Sequence, residues 1–382
     1  MDVSTPTSPV YLGFLASHTG TSTLFRDIKT YDDYAFIVAD EVGHGLQIFD
    51  LTQLSSISNE PVLFRETAHF EINFQGSKIA GKEIEFSRYY DKVTEAGERV
   101  IPRQSDDEGY AHNIAINEES GYAYLVGSNN CAGGLYMLDL SNPLSPSSVG
   151  CFSDWGWISD AQCVTYDGPD STYSNREICF ISYLYGLAVV DVTNKSNPEV
   201  LSFLGEVYFN FIDQGWLTDD HAYFLVGDRN GGDVRTHIVD ASDLNNIFVA
   251  NTYEGSIDAR HGNNFVKGNY LYQANHKGGL YVLELSNVSE GLIDEVGYFD
   301  TTPNESGSGQ AGVRGVYPFF SSGIVIASSA NEGLFVIRPR YSSSEIECVN
   351  NKVGSYPCMD VSLKNFLSSD SFPESSNNRL SE

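Results

Sequence analysis

The sequence predicts an all-β protein, a β-propeller of seven four-stranded antiparallel blades whose first blade is incomplete. A strand-rich composition, the lack of helical periodicity and a recurring phrase support this prediction. Aromatic residues make up 13% of the 382 residues, and there are 35 glycines. Aromatic and β-branched residues suit a pleated, half-buried surface, and glycine suits the turns between strands. No long window of the sequence places apolar residues at helical spacing.

The recurring phrase is a short apolar strand, an acidic residue, a polar turn and a second strand. A last, truncated copy, LFVIRPR, begins at Leu334. Most acidic positions are 44 to 52 residues apart, which matches the length of a four-stranded blade. Pairs of upstream strands, such as HNIAINEESGYAYLVGS, supply the first two strands of each blade. The acidic positions of the copies are Asp2, Asp50, Asp139, Asp191, Asp240 and Glu284.

One separation, between Asp50 and Asp139, is far longer than the others and predicts an insertion over residues 65–110. The propeller is then expected to cover residues 1–340. Residues 341–382 are polar and rich in serine, which predicts a disordered C-terminal tail. The first residues after Met1 do not form a signal peptide and resemble the last part of a blade. Either a leader and earlier strands are missing from this chain, or the protein is intracellular.

The cysteines fall into three local pairs, and two pairs bracket predicted turns between strands. This is the arrangement of cross-strand disulfides, which persist in oxidising compartments. Buried free thiols are the alternative, because free cysteine is often a core residue. A structural zinc site is not expected, because the sequence contains no Cys-x-x-Cys pair. The pairs are Cys131 with Cys151, Cys163 with Cys179, and Cys348 with Cys358.

The net charge of −29 argues against nucleic acid as a partner, because binding to phosphates needs clustered lysine and arginine. No run of 18 or more apolar residues is present, so no membrane span is expected. A strongly acidic surface favours solubility, and it also suits a medium that contains calcium.

Several segments resemble the LVIVD-repeat proteins, and more closely the group called choice-of-anchor B. They include LFRDIKTYDDYAFIVADEVGHGLQIFDLTQL, AHNIAINEESGYAYLVGSNNCAGGLYMLDLSNP, GCFSDWGW and AQCVTYDGPDSTYSNREICF. The resemblance extends from Val10 to Pro339. It implies a surface-associated propeller outside the cytoplasm, in an extracellular or cell-surface location, but no particular activity. The family usually follows its propeller with a membrane anchor or sorting signal, whereas residues 341–382 contain no apolar anchor.

The resemblance also implies a site, because the family places histidines at the start of the innermost strands. His18 and His112 match that pattern, Ser159 and Asp213 stand at two further histidine positions, and His261 lies beside another. The candidate cofactor is a divalent cation, calcium or zinc. A polar channel mouth filled with water is the alternative. Candidate metal ligands are His18, His112, Asp160, Asp213 and His261, and candidate binding residues are Asp27, Asn113, Asn263 and Arg314.

Two functions follow from these predictions. The first is an extracellular or cell-surface binding or scaffolding module that holds a protein or glycan partner at its channel-mouth loops. The second is a metal-dependent hydrolase or lyase that uses the ring of histidines and aspartates. The sequence carries no nucleophile elbow, phosphate loop or zinc-protease motif. Asn-x-Ser sequons occur at Asn194, Asn287 and Asn304, the first two in turns between strands.

Overall fold

The computed structural model describes residues 1–339 and 360–362, apart from 22, 24, 58–60, 73–108, 184–185, 206–207, 210, 229–232, 304–306, 308 and 310. These residues form six four-stranded antiparallel sheets. In every sheet the strands are hydrogen-bonded in their order along the chain, which is the arrangement of a propeller blade. The predicted all-β class and four-stranded blades are therefore confirmed.

The strands of the six sheets follow in chain order. Sheet 1 contains β2 (Arg26–Tyr31), β3 (Tyr34–Ala39), β4 (Leu46–Asp50) and β6 (Ala68–Phe70), and sheet 2 contains β7 (Asn113–Asn117), β8 (Tyr122–Val126), β9 (Leu135–Asp139) and β10 (Ser147–Phe152). Sheet 3 contains β11 (Ile158–Thr165), β12 (Glu177–Tyr183), β13 (Gly186–Asp191) and β14 (Glu199–Leu204), and sheet 4 contains β15 (Ile212–Leu217), β16 (Tyr223–Asp228), β17 (Asp233–Asp240) and β18 (Phe248–Asp258). Sheet 5 contains β19 (Asn264–Lys267), β20 (Tyr270–Ala274), β21 (Leu280–Glu284) and β22 (Asp294–Phe299), and sheet 6 contains β23 (Val313–Tyr317), β24 (Val325–Ser329), β25 (Gly333–Arg338) and β26 (Asp360–Ser362). A short parallel pair joins β1 (Gly13–Leu15) to β5 (Val62–Phe64).

The prediction of seven blades with an incomplete first blade was wrong, because the described residues form six complete ones. The extra copy was the phrase at Met1. That segment makes only an isolated bridge between Asp2 and Val10 and adds no strand to a four-stranded sheet. The first blade is completed by β6, which lies inside the range predicted as an insertion. Residues 73–108 of that range lie outside the described residues.

The chain divides into two compact units. The first comprises Met1 with residues 11–229 and 236–253, and it contains sheets 1 to 3 and most of sheet 4. The second comprises residues 2–10, 230–235 and 254–382, and it contains sheets 5 and 6. In the first unit, three apolar clusters each combine residues of two neighbouring sheets. One cluster stacks Phe180 of sheet 3 on Phe224 of sheet 4, with ring centroids 5.0 Å apart.

The recurring acidic residue is a turn residue at the end of the third strand. The Asp191 carboxylate accepts a hydrogen bond from the backbone N–H of Thr193, two positions on, at 2.9 Å. Such a bond closes the turn locally, which favours Asp before a polar residue at this position. Asp50, Asp139 and Asp240 make the same bond, and Glu284 accepts from the Ser286 hydroxyl. The acidic residue therefore recurs along the sequence because each of these turns needs it.

These turns define two ends of each sheet. The near end is where the first and third strands begin, and the far end carries the turn between the third and fourth strands. In sheet 3, for example, Asp160 of β11 pairs with Ser182 of β12 at the near end, and Asp191 of β13 lies at the far end. Within the first unit, β7 lies against both β2 and β11, and β11 lies against β15. The first strand of each blade is therefore the inner one in this unit, as predicted.

The two disulfides predicted within the described residues are confirmed. Cys163 and Cys179 face each other across β11 and β12, with their Cα atoms 4.0 Å apart. Cys131 precedes β9 and joins Cys151 of β10, with a Cα separation of 5.5 Å. Each bond lies within one blade. The predicted pair Cys348 and Cys358 lies outside the described residues.

The range predicted as a disordered tail contributes one strand to the fold. β26 pairs antiparallel with β25 and completes sheet 6, with Val361 opposite Ile337. The other residues from 340 to 382 are outside the described part of the chain. In the part that is described, no helix is both long enough and apolar enough to cross a membrane.

Candidate functional site

Three of the first strands, β11, β15 and β23, are irregular at the near end of their sheets. The pairing of β11 with β12 shifts between Ile158 and Asp160, and that of β15 with β16 shifts between Ile212 and Gly215. A bulge of this kind adds an unpaired residue and changes the direction of a side chain, and bulges are common beside functional sites. In the second unit, β23 has the same irregularity at Arg314. Three of the predicted site residues, Asp160, Asp213 and Arg314, therefore lie at or beside bulges.

In the first unit, the near end holds a polar cluster that we define as Asp27, Lys29, Asn113, Asp160 and Asp213. Each member lies on an inner strand. Lys29 forms an ion pair with Asp27, and the side-chain amide of Asn113 donates a hydrogen bond to the Asp160 carboxylate. Ser159 of β11 connects two other strands. Its hydroxyl lies 2.9 Å from the carbonyl oxygen of Ser182 on β12 and 3.2 Å from that of Asp213 on β15.

Burial sets the chemistry of this polar cluster. Only 8% of the Asp160 surface is exposed, and this desolvation raises the pKa of its carboxyl well above the usual value. The positive charge of Lys29 opposes that effect, while the like charges of Asp27 and Asp213 add to it. A carboxyl held in this way can exist in the protonated form and donate a hydrogen bond, while its neighbours accept. The polar cluster therefore offers both donors and acceptors to a ligand.

The two histidines predicted in the first unit do not join this cluster. His112 precedes β7, its ring lies 4.9 Å from that of Trp157, and its Nδ1 is 3.5 Å from an Asp40 carboxylate oxygen. His18 stacks on His69 with ring centroids 3.6 Å apart, and its Nδ1 donates to Glu66 at 2.8 Å. Both histidine side chains therefore contact residues outside the polar cluster.

His69 and His44 lie close to His18. This grouping could not be recognised in the sequence. The Nε2 of His69 donates to the His44 carbonyl oxygen at 2.9 Å. His44 is fully buried, and this burial lowers the pKa of its imidazole. The grouping of these histidines depends on the pairing of β4 with β6, which brings together residues distant in sequence.

In the second unit, His261 lies before β19 and is fully buried. Its Nδ1 is 2.6 Å from the Gly262 carbonyl oxygen, and the side-chain amide of Gln273 donates to its Nε2 at 2.7 Å. The amide oxygen of Gln273 in turn accepts from Asn275 at 2.9 Å. These bonds suit a neutral imidazole with its proton on Nδ1. The Nε2 lone pair that would bind a metal is occupied by the amide.

Asn263 and Arg314, also in the second unit, lie on adjoining segments. The backbone N–H of Asn263 donates to the Arg314 carbonyl oxygen at 3.2 Å. Both residues are half-buried. Their main chains connect the start of β19 to the start of β23, and their predicted role in binding stays a prediction.

The described residues contain no group of three or more His, Cys, Asp or Glu side chains placed to hold a metal ion. Of the five predicted ligands, the first unit brings Asp160 and Asp213 together and directs His18 and His112 to other partners. In the second unit, His261 binds Gln273. The structure thus gives no support to a metal site in this form, and a bound calcium or zinc ion stays a prediction.

An aromatic group at the near end of sheet 3 was missed in the sequence. We define it as Trp155, Tyr183 and Phe203. The Trp155 ring lies 5.1 Å from that of Tyr183 and 4.9 Å from that of Phe203, and 57% of Phe203 is exposed. Exposed aromatic side chains are enriched where proteins bind partners. Only the strand register places these three residues at the end that also carries Asp160.

Comparison with known families finds the LVIVD repeat in three segments, residues 108–154, 181–204 and 263–301. These segments contain sheet 2, the last part of β12 with β13 and β14, and all of sheet 5. No curated protein matches the sequence.

Solved structures resemble this chain at low sequence identity. A protein from Lactobacillus plantarum matches with a TM-score of 0.51 and 11% identity, over 87% of this chain and 86% of that one. The β-propeller domain of Cps50 from Myceliophteria thermophila gives 0.47 and 12%, over 81% and 82%. A periplasmic gluconolactonase from Pseudomonas aeruginosa gives 0.46 and 12%, over 66% and 73%. The chain therefore carries LVIVD repeats on a β-propeller fold.

Proposed function

We propose that this chain is a binding module that acts outside the cytoplasm and holds a protein or glycan partner at the near end of its first unit. The polar cluster is the observation that carries the proposal. A buried carboxyl beside two like charges is costly to maintain, and such groups are concentrated at functional sites. The bulges at Asp160 and Asp213 also direct polar side chains where a regular strand would not.

The aromatic group also supports the near end as the binding face. Tryptophan, tyrosine and phenylalanine rings stack on sugar faces or fill pockets in a partner protein. Carboxylates and amides such as Asp213 and Asn113 can bind sugar hydroxyls or the basic side chains of a protein. The net charge of −29 favours a basic protein among protein partners.

Location outside the cytoplasm is supported by the chemistry of the chain. Its two disulfides are compatible with an oxidising compartment. The resemblance of GCFSDWGW and its neighbouring segments to the choice-of-anchor B group supports surface association.

The hydrolase or lyase alternative has no specific observation in its favour. It depends on several ligands converging on one ion, and the described residues place no such group. The binding role is therefore the function that the described geometry supports best.

The binding proposal is tested with the full chain on a panel of immobilised oligosaccharides and a panel of basic extracellular proteins. Two of the three tryptophans, Trp155 and Trp157, lie at the near end, so tryptophan fluorescence gives a second readout in solution. Affinity for a basic protein should fall steeply with salt, whereas affinity for a neutral glycan should not.

Matched variants decide whether the near end is the binding face. Asp213→Asn and Trp155→Ala should weaken binding about tenfold or more, equivalent to about 1.4 kcal/mol. Glu118→Gln and Phe248→Ala change an exposed carboxylate and an exposed ring at the far ends of sheets 2 and 4, and should leave affinity unchanged. Equal effects of the two sets, or no binding on either panel, would contradict the proposal.

A further inference from the structure

Two asparagine sequons lie in exposed turns of the structure. Asn194–Ser196 lies between β13 and β14, and Asn287–Ser289 lies between β21 and β22. Both asparagines are exposed to solvent, and each turn is at the far end of its own sheet. We propose that Asn194 and Asn287 are N-glycosylation sites. This inference rests on the proposed location outside the cytoplasm, because the modification occurs on exported chains.

In the Asn194 turn, the two polar residues of the sequon contact each other. The Ser196 hydroxyl donates to the Asn194 side-chain oxygen at 2.8 Å, and the Ser196 backbone N–H points at the same oxygen at 3.2 Å. The acceptor amide and the hydroxyl of the sequon therefore face each other in an exposed loop. Among the described residues, the Asn194 Nδ2 makes no hydrogen bond, so the reactive nitrogen is available.

The Asn287 turn has a different local structure. Asn287 precedes a short 3-10 turn, Val288–Glu290, that ends at Gly291 in the left-handed conformation with φ of 74°. The Asn287 side chain makes no capping hydrogen bond to that turn, whereas its carbonyl oxygen accepts from Glu290 and Leu292. Backbone bonds therefore hold the turn, while the Asn287 residue is exposed to solvent. The third sequon, at Asn304, is outside the described residues.

The reaction needs a donor of one chemical class, an oligosaccharide linked to a polyprenyl diphosphate. The asparagine Nδ2 forms a bond to the anomeric carbon of the first sugar. The bond from that carbon to the diphosphate oxygen breaks, and the diphosphate leaves with the electron pair. The amide nitrogen loses one proton to a base of the transferase.

The equivalent turn of sheet 2 provides a control within the same chain. Asn142 lies between β9 and β10, but proline and leucine follow it at positions 143 and 144, so it is not a sequon. Pro143→Val combined with Leu144→Ser would convert that turn into a sequon at the same place on the blade. This variant tests whether the far-end turn is accessible to the transferase.

For the experiment, a cleavable leader directs the full chain into the secretory pathway of a eukaryotic cell. Peptide mapping before and after enzymatic removal of N-glycans should show sugar on both asparagines. Asn194→Gln and Ser196→Ala should each remove the first glycan, and Asn287→Gln and Ser289→Ala the second. The Asn142 variant should gain a glycan.

An unmodified Asn194 and Asn287 in the secreted chain would overturn the proposal, whether or not Asn142 becomes modified in its variant. That result would leave near-end binding intact, because the Trp155→Ala and Asp213→Asn comparisons can be made on protein without glycans. Failure of the binding comparisons with both glycans present would contradict the proposed function alone.

Discussion

Asp160 is kept in a position where its charged form is disfavoured. Because burial raises the pKa of its folded-state carboxyl above the ordinary 3.8, the folded chain holds this proton more tightly than the unfolded chain. The contribution of the protonated form to stability is therefore complete below about pH 4, and it is lost as the pH rises through the folded-state pKa. An amide at this position should avoid that loss.

We expect Asp160→Asn to raise the thermal unfolding temperature at pH 8, with a difference that shrinks toward pH 4. Its side-chain oxygen can still accept the hydrogen bond from Asn113. Glu118→Gln, at an exposed turn position, is the matched control and should change little at either pH. Scanning calorimetry across pH measures both variants. A lower unfolding temperature at pH 8 for Asp160→Asn would show that the carboxylate is stabilised by its neighbours.

The candidate site was only partly predictable from the sequence. The start of each inner strand could be located from the repeat, which indicated Asp27, Asn113, Asp160 and Asp213. The sequence could not predict the ion pair of Lys29 with Asp27 or the hydrogen bond from the Gln273 amide to His261. Both depend on the directions of side chains. The metal role given to the histidines came from resemblance, and local partners such as Glu66 and Trp157 occupy the first two.

At the scale of elements, a buried ion pair joins sheets 2 and 3. Lys195 pairs with Glu177 at 2.6 Å, with 10% and 8% of the two side chains exposed. Glu177 also accepts hydrogen bonds from Asn117 and Ser120 of the neighbouring sheet. Because a buried charge without its partner is strongly unfavourable, Lys195→Met should cost about 3–5 kcal/mol of unfolding free energy. Denaturant titration measures this loss.

A second ion pair on the same strands serves as the control. Arg176 pairs with Asp191 at the same distance, but 46% of the arginine side chain is exposed. Arg176→Met should cost less than Lys195→Met, because solvent reaches the arginine end of this pair although only 6% of the Asp191 side chain is exposed. Combining Lys195→Met with Glu177→Gln should restore part of the loss, since no unpaired charge is left. If Lys195→Met and Arg176→Met were equally mild, burial would not be the cause.

The disulfide between Cys163 and Cys179 fixes one hairpin of sheet 3. Closing a loop of this length stabilises a fold by about 2–4 kcal/mol, so replacing both cysteines by alanine should lower the unfolding free energy by that amount. The same range is expected for Cys131 and Cys151. Peptide mapping without reduction should recover both pairs, and four free thiols at these positions would contradict the assignment.

At the scale of the whole molecule, the sequence period established the class of fold and the length of a blade. The blade count was wrong by one because the phrase at Met1 has the acidic turn of a repeat, with Asp2 bonded to Ser4, but no sheet to join. β26 was missed because Asp360–Ser362 lies in the serine-rich range that was predicted as a disordered tail. Its pairing with β25 makes it a strand.

The contribution of β26 can be tested by two truncations. Ending the chain after Pro339 removes β26 and leaves β25 as an unpaired edge, which should lower the unfolding temperature and promote aggregation. Ending it after Ser362 keeps β26 and should have little effect. Light scattering during thermal unfolding compares the two truncations with the full chain. Identical behaviour of both would show that β26 is dispensable.

The far-end turns have a consequence for engineering. In sheets 1 to 4 each is closed by a bond between residues two positions apart, as in Asp139 with Ser141 and Asp240 with Ser242. A foreign peptide inserted beyond such a bond would be tethered at both ends by a finished strand. The repeated turns are thus attachment points for displaying several copies of an epitope on one chain.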